Sequence, residues 1–108
     1  MIPSLKAMTY FTTAIKHGNI ARAAEELKVA ASAVGAAIDL MEETFGLKLV
    51  TRHRARGIQP TASGLNVAQK CEKLLEAHRL LLAEPAALGQ SLSGRLRIGY
   101  YAPVAPAF

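Results

Sequence analysis

Apolar residues recur every three or four positions along most of the chain, a spacing that predicts helices. Leu5, Met8, Phe11 and Ile15 share one helical face, and Pro3 suits a first helical turn, where its missing N–H is not needed. His17-Gly18-Asn19 interrupts this stretch. Glycine accepts the left-handed conformation that follows a helix, and asparagine caps the next one. A second helix from Ile20 turns Ile20, Ala23, Ala24 and Leu27 inward, and the two alanines let a neighbouring helix come close. Lys28-Val29-Ala30 has the length of a helix-turn-helix turn, and periodicity resumes from Ser32 through Val34, Ile38, Met41 and Phe45 until Gly46 stops it.

The pattern then changes. Leu47 to Arg52 partly alternates, His53 to Gly57 carries the potential cations His53, Arg54 and Arg56, and Ile58-Gln59-Pro60 follows. Two short strands joined by a basic tip form a wing, with Pro60 tolerable at the end of an edge strand. Thr61 is the cap of a fourth helix that runs unbroken to about Leu82. Val67, Cys71, Leu74, His78 and Leu81 alternate four and three apart, and Ala68, Leu75 and Leu82 recur every seven. That seam is wide enough for a partner helix, so Val67, Cys71, Leu74, Leu75, His78, Leu81 and Leu82 are the expected dimer interface. Pro85 and Gly89 end or kink this helix, residues 90–94 form a hinge, and residues 95–100 read as a strand with no sheet to join. The expectation is therefore a fragment.

At 108 residues the chain holds one small domain with something appended. No apolar run approaches the roughly 18 to 20 residues that span a bilayer, and the N-terminus has no secretory pattern, so no membrane and a cytoplasmic location are expected. Cys71 is the only cysteine, which excludes an internal disulfide. Thirteen Lys and Arg against eight Asp and Glu give a net charge of +5, which favours a polyanionic partner. Distribution sharpens the point: no acid occurs between Glu43 and Glu72, where Lys48, Arg52, Arg54, Arg56 and Lys70 all fall. The histidines at 17, 53 and 78 lie on separate elements, and neither a catalytic constellation nor a metal set is formed. Catalytic and metal residues are expected to be none.

The order Phe11, then Gly18 to Leu27 (GNIARAAEEL), Ala33-Val34, Ile38 and Glu42 to Gly46 (EETFG) resembles the signature of LysR-type transcriptional regulators. Leu49 to Arg52, Pro60 to Gly64 and Gly94 to Gly99 look like that family's wing, linker-helix start and first sensor strand. The resemblance covers essentially the whole chain. It implies a mainly α fold: a winged helix-turn-helix of three helices and a two-stranded wing over residues 1–60, with the helix-turn-helix at about 19–38. A linker and dimerisation helix over 61–89 and a truncated start of an effector-binding domain over 90–108 follow. It further implies sequence-specific binding of double-stranded promoter DNA by a homodimer, usually paired into a tetramer at full length. No cofactor is expected here, since the small-molecule effector belongs to the missing C-terminal domain.

One departure from the family matters. The turn and start of the recognition helix are usually polar, whereas here they read Ala30-Ala31-Ser32-Ala33-Val34-Gly35-Ala36-Ala37. Bases are distinguished in the major groove by paired donors and acceptors, which this stretch lacks beyond Ser32. Either DNA shape supplies specificity, with a wing arginine in a minor groove and small residues allowing close approach, or DNA reading is weakened. Asp39 either accepts from a cytosine amino group or repels phosphate. The candidate DNA-binding residues are Arg22, Ala31, Ser32, Gly35, Ala36, Arg52, His53, Arg54 and Arg56. Arg22 has an alternative, pairing with Glu25 or Glu26, and Lys28 is equally open. His17 is expected to cap helix carbonyls, His78 to be a packed or interfacial residue, and Cys71 to be an apolar seam residue or, if the two copies face each other there, a cross-dimer disulfide. The competing function is a winged-helix interaction module with weak or non-specific DNA binding.

Overall fold

Ser4 opens the first helix by accepting a hydrogen bond from the Ala7 N–H at 3.1 Å, and α1 runs Leu5–His17. Pro3 therefore precedes the cap and is not in the first turn, a correction to the expected start. The computed structural model describes residues 3–55 and 57–83. Arg56 and the expected helix end, hinge and strand beyond residue 83 lie outside the described residues. Phe11 is fully buried, flanked by buried Ala7 and Ala14, while Met8 and Ile15 pack at the edge of the core. The buried face is wider than one stripe because α1 meets both following helices.

Gly18, at φ 65°, ends α1, and the Asn19 side chain accepts from the Arg22 N–H at 2.9 Å to begin α2, Ile20–Leu27. Ala23 and Ala24 are buried and Ile20 and Leu27 pack against them, as their spacing predicts. The helix stops at Lys28, the one non-glycine residue with positive φ (60°) among the described residues. That conformation costs an L-residue about 1 kcal/mol. His17 does not cap carbonyls: its Nε2 lies 2.6 Å from Glu26 Oε1 and ties the end of α1 to α2. The bond from His17 holds the Glu26 carboxyl below its ordinary range, helped by Lys16. A carboxylate so lowered stabilises the fold above its unfolded pKa, and the effect is lost as pH falls through the lowered value.

The third helix, α3, spans Ala31–Phe45 and buries Val34, Ala37, Ile38 and Met41, while Phe45 in its last turn is 46% exposed. Phe45 continues the apolar period beyond the part of the helix that packs. Gly46 (φ 65°) then reverses the chain. The Glu42 carboxylate spans that reversal: its Oε2 accepts from the N–H groups of Leu49 (2.9 Å) and Val50 (3.3 Å). Leu49 thereby becomes core without being strand, so β1 begins later than alternation suggests, at Val50–His53.

Strand β1 pairs antiparallel with β2, Gly57–Pro60, in a register that sets His53 opposite Gly57 and Val50 opposite Pro60. Val50 and Ile58 point into the core, the other β1 residues outward. Gly57 has φ 82°, and a Cβ there would collide with the Gly18 carbonyl, which itself accepts from the Ile58 N–H at 3.0 Å. The wing is thus seated on the turn between α1 and α2. Thr61 makes the next junction, its hydroxyl donating to the Lys48 carbonyl (2.7 Å) and accepting from the Gly64 N–H (3.0 Å). Helix α4, Ala62–Ala83, begins there with Gly64 pressed on the Leu49 carbonyl.

Phe11, Val34, Ile38, Met41, Leu49 and Val50 are the largest fully buried side chains, each worth about 1.5–3 kcal/mol in burial. Val67, Ala68 and Cys71 join them from α4. The chain divides into two units, Met1–Glu76 and one beginning at Ala77, of which the described residues are the end of α4.

Candidate nucleic-acid interface

Helix α3 buries one side and leaves Ser32, Ala36 and Asp39 exposed, with Gly35 beside them half-buried. Steps of four and three place these residues in one outward stripe. The side chains are small, so the backbone of this face can come close to a partner surface. Apart from its chain neighbours and the adjoining backbone of its own helix, no atom of the described residues lies within 4 Å of the position a Gly35 Cβ would take. Packing inside the chain therefore does not require glycine at that place. Ala31, also exposed, adds only a methyl group.

The N-terminus of α3 differs from those of the two helices before it. Ser4 and Asn19 each cap with a side chain, whereas Ala30 provides no side-chain hydrogen bond. The first N–H groups of α3 lack a side-chain acceptor, and with the helix dipole they favour an anion. This feature was readable in the alanine at position 30.

Thr51, Arg52, His53 and Arg54 all stand exposed on the wing. His53 is steadied by a 3.4 Å contact from its Nε2 to Thr51 Oγ1. Arg54 lies at the tip and enters no ion pair among the described residues. Arg22, exposed on α2, forms no ion pair with Glu25 or Glu26 among the described residues, and Glu26 is taken by His17. Arg52 is different. Its Nη2 donates to Asp39 Oδ1 at 2.9 Å, joining β1 to the outward stripe of α3. Neither sequence-based reading of Asp39 included this pair, because thirteen residues separate the partners and no periodic pattern links them.

Residues 5–65 match the model for "Bacterial regulatory helix-turn-helix protein, lysR family". The chain belongs to the LysR family. The glycine cleavage system transcriptional activator of Escherichia coli is 36% identical over 99% of the chain. An SDS degradation transcriptional activation protein of Pseudomonas is 32% identical over 88% of it. The chain spans only 37% and 31% of the lengths of these two relatives. Among solved structures, a complex of the CbnR DNA-binding domain with DNA is similar at TM-score 0.71 and 29% identity, covering 79% of this chain and 98% of that one. Vibrio fischeri DarR in complex with DNA is similar at TM-score 0.73 and 28% identity, covering 83% of this chain and 30% of that one. In this LysR-family chain the four helices and the two-stranded wing have the arrangement of a LysR winged helix-turn-helix DNA-binding domain.

The expected dimer seam is corrected at its beginning. Val67 and Cys71 are only 9% and 6% exposed and pack in the core of their own chain, so they do not face a partner. Burial also raises the Cys71 thiol above its ordinary pKa, with Glu72 adding to the effect, and a cross-chain disulfide through this side chain is not accessible. Leu74, Leu81 and Leu82 are 48%, 60% and 63% exposed, His78 is exposed, and Leu75 is half-buried. Among the described residues there is no cluster of potential metal ligands, and no helix is long and apolar enough to cross a membrane.

Proposed function

We infer that this chain is the sequence-specific, duplex-DNA-binding part of a LysR-type transcriptional regulator, with no catalytic role. The observation that carries this reading is the outward stripe of small residues on α3, beside an uncapped helix N-terminus and a wing bearing exposed cations. In this reading α3 enters the major groove and its first N–H groups meet a phosphate, while Arg22 and Arg54 neutralise backbone charge and His53 contacts a phosphate through its ring N–H. Arg56 is included in that role on sequence grounds alone. The relatives are named as transcriptional activators, and solved neighbours are complexes with DNA, which supports the same assignment.

The exposed leucines of α4 support a homodimer that would set two copies of α3 at a fixed half-site spacing. A tetramer at full length, an effector bound by a further domain and action in the cytoplasm belong to the same proposal. One observation favours a second reading. The outward stripe of α3 holds few hydrogen-bonding side chains, as an interaction module or a non-specific binder would. Binding of the 108-residue chain to a randomised duplex library at near-physiological salt separates the three. Enrichment of a palindromic site is the expected result. Uniform retention would make the chain a backbone binder, and no retention would make it an interaction module.

A further inference from the structure

Asp39 and Arg52 pair on the surface, with their side chains 69% and 47% exposed. A pair so open to water adds little to stability, so its consequence is geometric. The contact uses one terminal nitrogen of the guanidinium on one carboxylate oxygen. Arginine has five N–H donors in a rigid planar fork, so most of the fork remains free. It is held at the Asp39 end of the stripe formed by Ser32, Gly35, Ala36 and Asp39. That end lies about 10 Å along the helix from Ser32, a distance of roughly three base-pair steps.

We propose that Asp39 is a positioning residue that holds the Arg52 fork beside the outward face of α3, making Arg52 the guanine-reading side chain that α3 itself lacks. The inference rests on the reading that this face meets duplex DNA. Two physical points favour a base over a phosphate as the target. Arg52 already faces a carboxylate, so its net pull on phosphate is reduced while its directional hydrogen bonding is kept. Guanine offers O6 and N7 side by side in the major groove, the acceptor pair that an arginine fork fits. The wing thereby supplies specificity through Arg52 and backbone attraction through Arg54, which enters no ion pair among the described residues.

The test repeats the library selection with wild type, Asp39→Ala, Arg52→Ala, Arg52→Lys and the double alanine variant, each checked for folding by circular dichroism. Wild type is expected to enrich a site with a guanine preference of about tenfold at one position per half-site. Each single variant should lose that preference while keeping the rest of the site, and the double variant should lose no more than either alanine variant alone. Arg52→Lys should fail like Arg52→Ala, since it keeps the charge but not the fork. A wild-type site unchanged by Asp39→Ala would overturn the positioning role while leaving sequence-specific binding intact. So would a uniform rise in affinity for all duplexes, which would mark Asp39 as a restraint on Arg52. Failure of wild type to enrich any site would remove base reading altogether, together with the function on which it rests.

Discussion

Gly35 and Gly64 both lie inside helices, where glycine costs about 1 kcal/mol relative to alanine, yet their surroundings set opposite expectations. The space beside Gly35 is open, whereas a Cβ on Gly64 would overlap the Leu49 carbonyl. Gly35→Ala should raise stability by about 1 kcal/mol in urea unfolding. It should also weaken DNA retention if the backbone there approaches the duplex; unchanged retention would remove Gly35 from the interface. Gly64→Ala should lower stability by about 1–3 kcal/mol, because backbone atoms cannot give way as a flexible side chain would. The sequence shows both glycines equally plainly. Only the position of the Leu49 carbonyl tells them apart, and that carbonyl is brought near by a contact fifteen residues distant.

The elements were legible to different depths. At the α1–α2 junction the Gly18 stop and the Asn19 cap were readable, since both act within a single turn of chain, whereas the tie from His17 to Glu26, nine residues on, was not. The start of β1 was not, since Glu42 takes the N–H groups of Leu49 and Val50 and delays the strand. For the wing, the sequence located the cations but left Arg52 and Arg54 equivalent. Their environments differ, one paired with Asp39 and the other at the tip without an ion pair among the described residues. Arg54→Ala should therefore weaken binding to every duplex and reduce the slope of log affinity against log salt by about one. Arg52→Ala should alter that slope less and sequence preference more. An equal loss of slope in both variants would place both guanidinium groups on phosphates.

At the scale of the molecule, α4 joins two tasks that its repeat pattern merges into one seam. Val67 and Cys71 complete the core of the winged body, and the leucines at 74, 81 and 82 remain open to solvent. Leu81→Asp should leave the winged fold intact and yield monomers by sedimentation at micromolar concentration. Val67→Asp should unfold it, because an unpaired carboxylate in that core costs several kcal/mol. A dimer that persists in Leu81→Asp would move the interface away from this face of α4.

Among the described residues, the sequence by itself determined the order and type of the elements and the glycine stops of α1 and α3, together with the basic wing and the family. These rest on periodicity, on glycine and cap residues, and on local charge, all of which act over a few residues. Tertiary structure decided which wing cation is held by a carboxylate, which glycine is obligatory, and where the apolar seam of α4 stops being core. Each of those depends on a contact between distant segments: Arg52 with Asp39, Gly64 with Leu49, and α4 with the body beneath it. Periodicity specifies the face of a helix on which a residue lies, but the neighbour meeting that face is set only when the chain closes on itself.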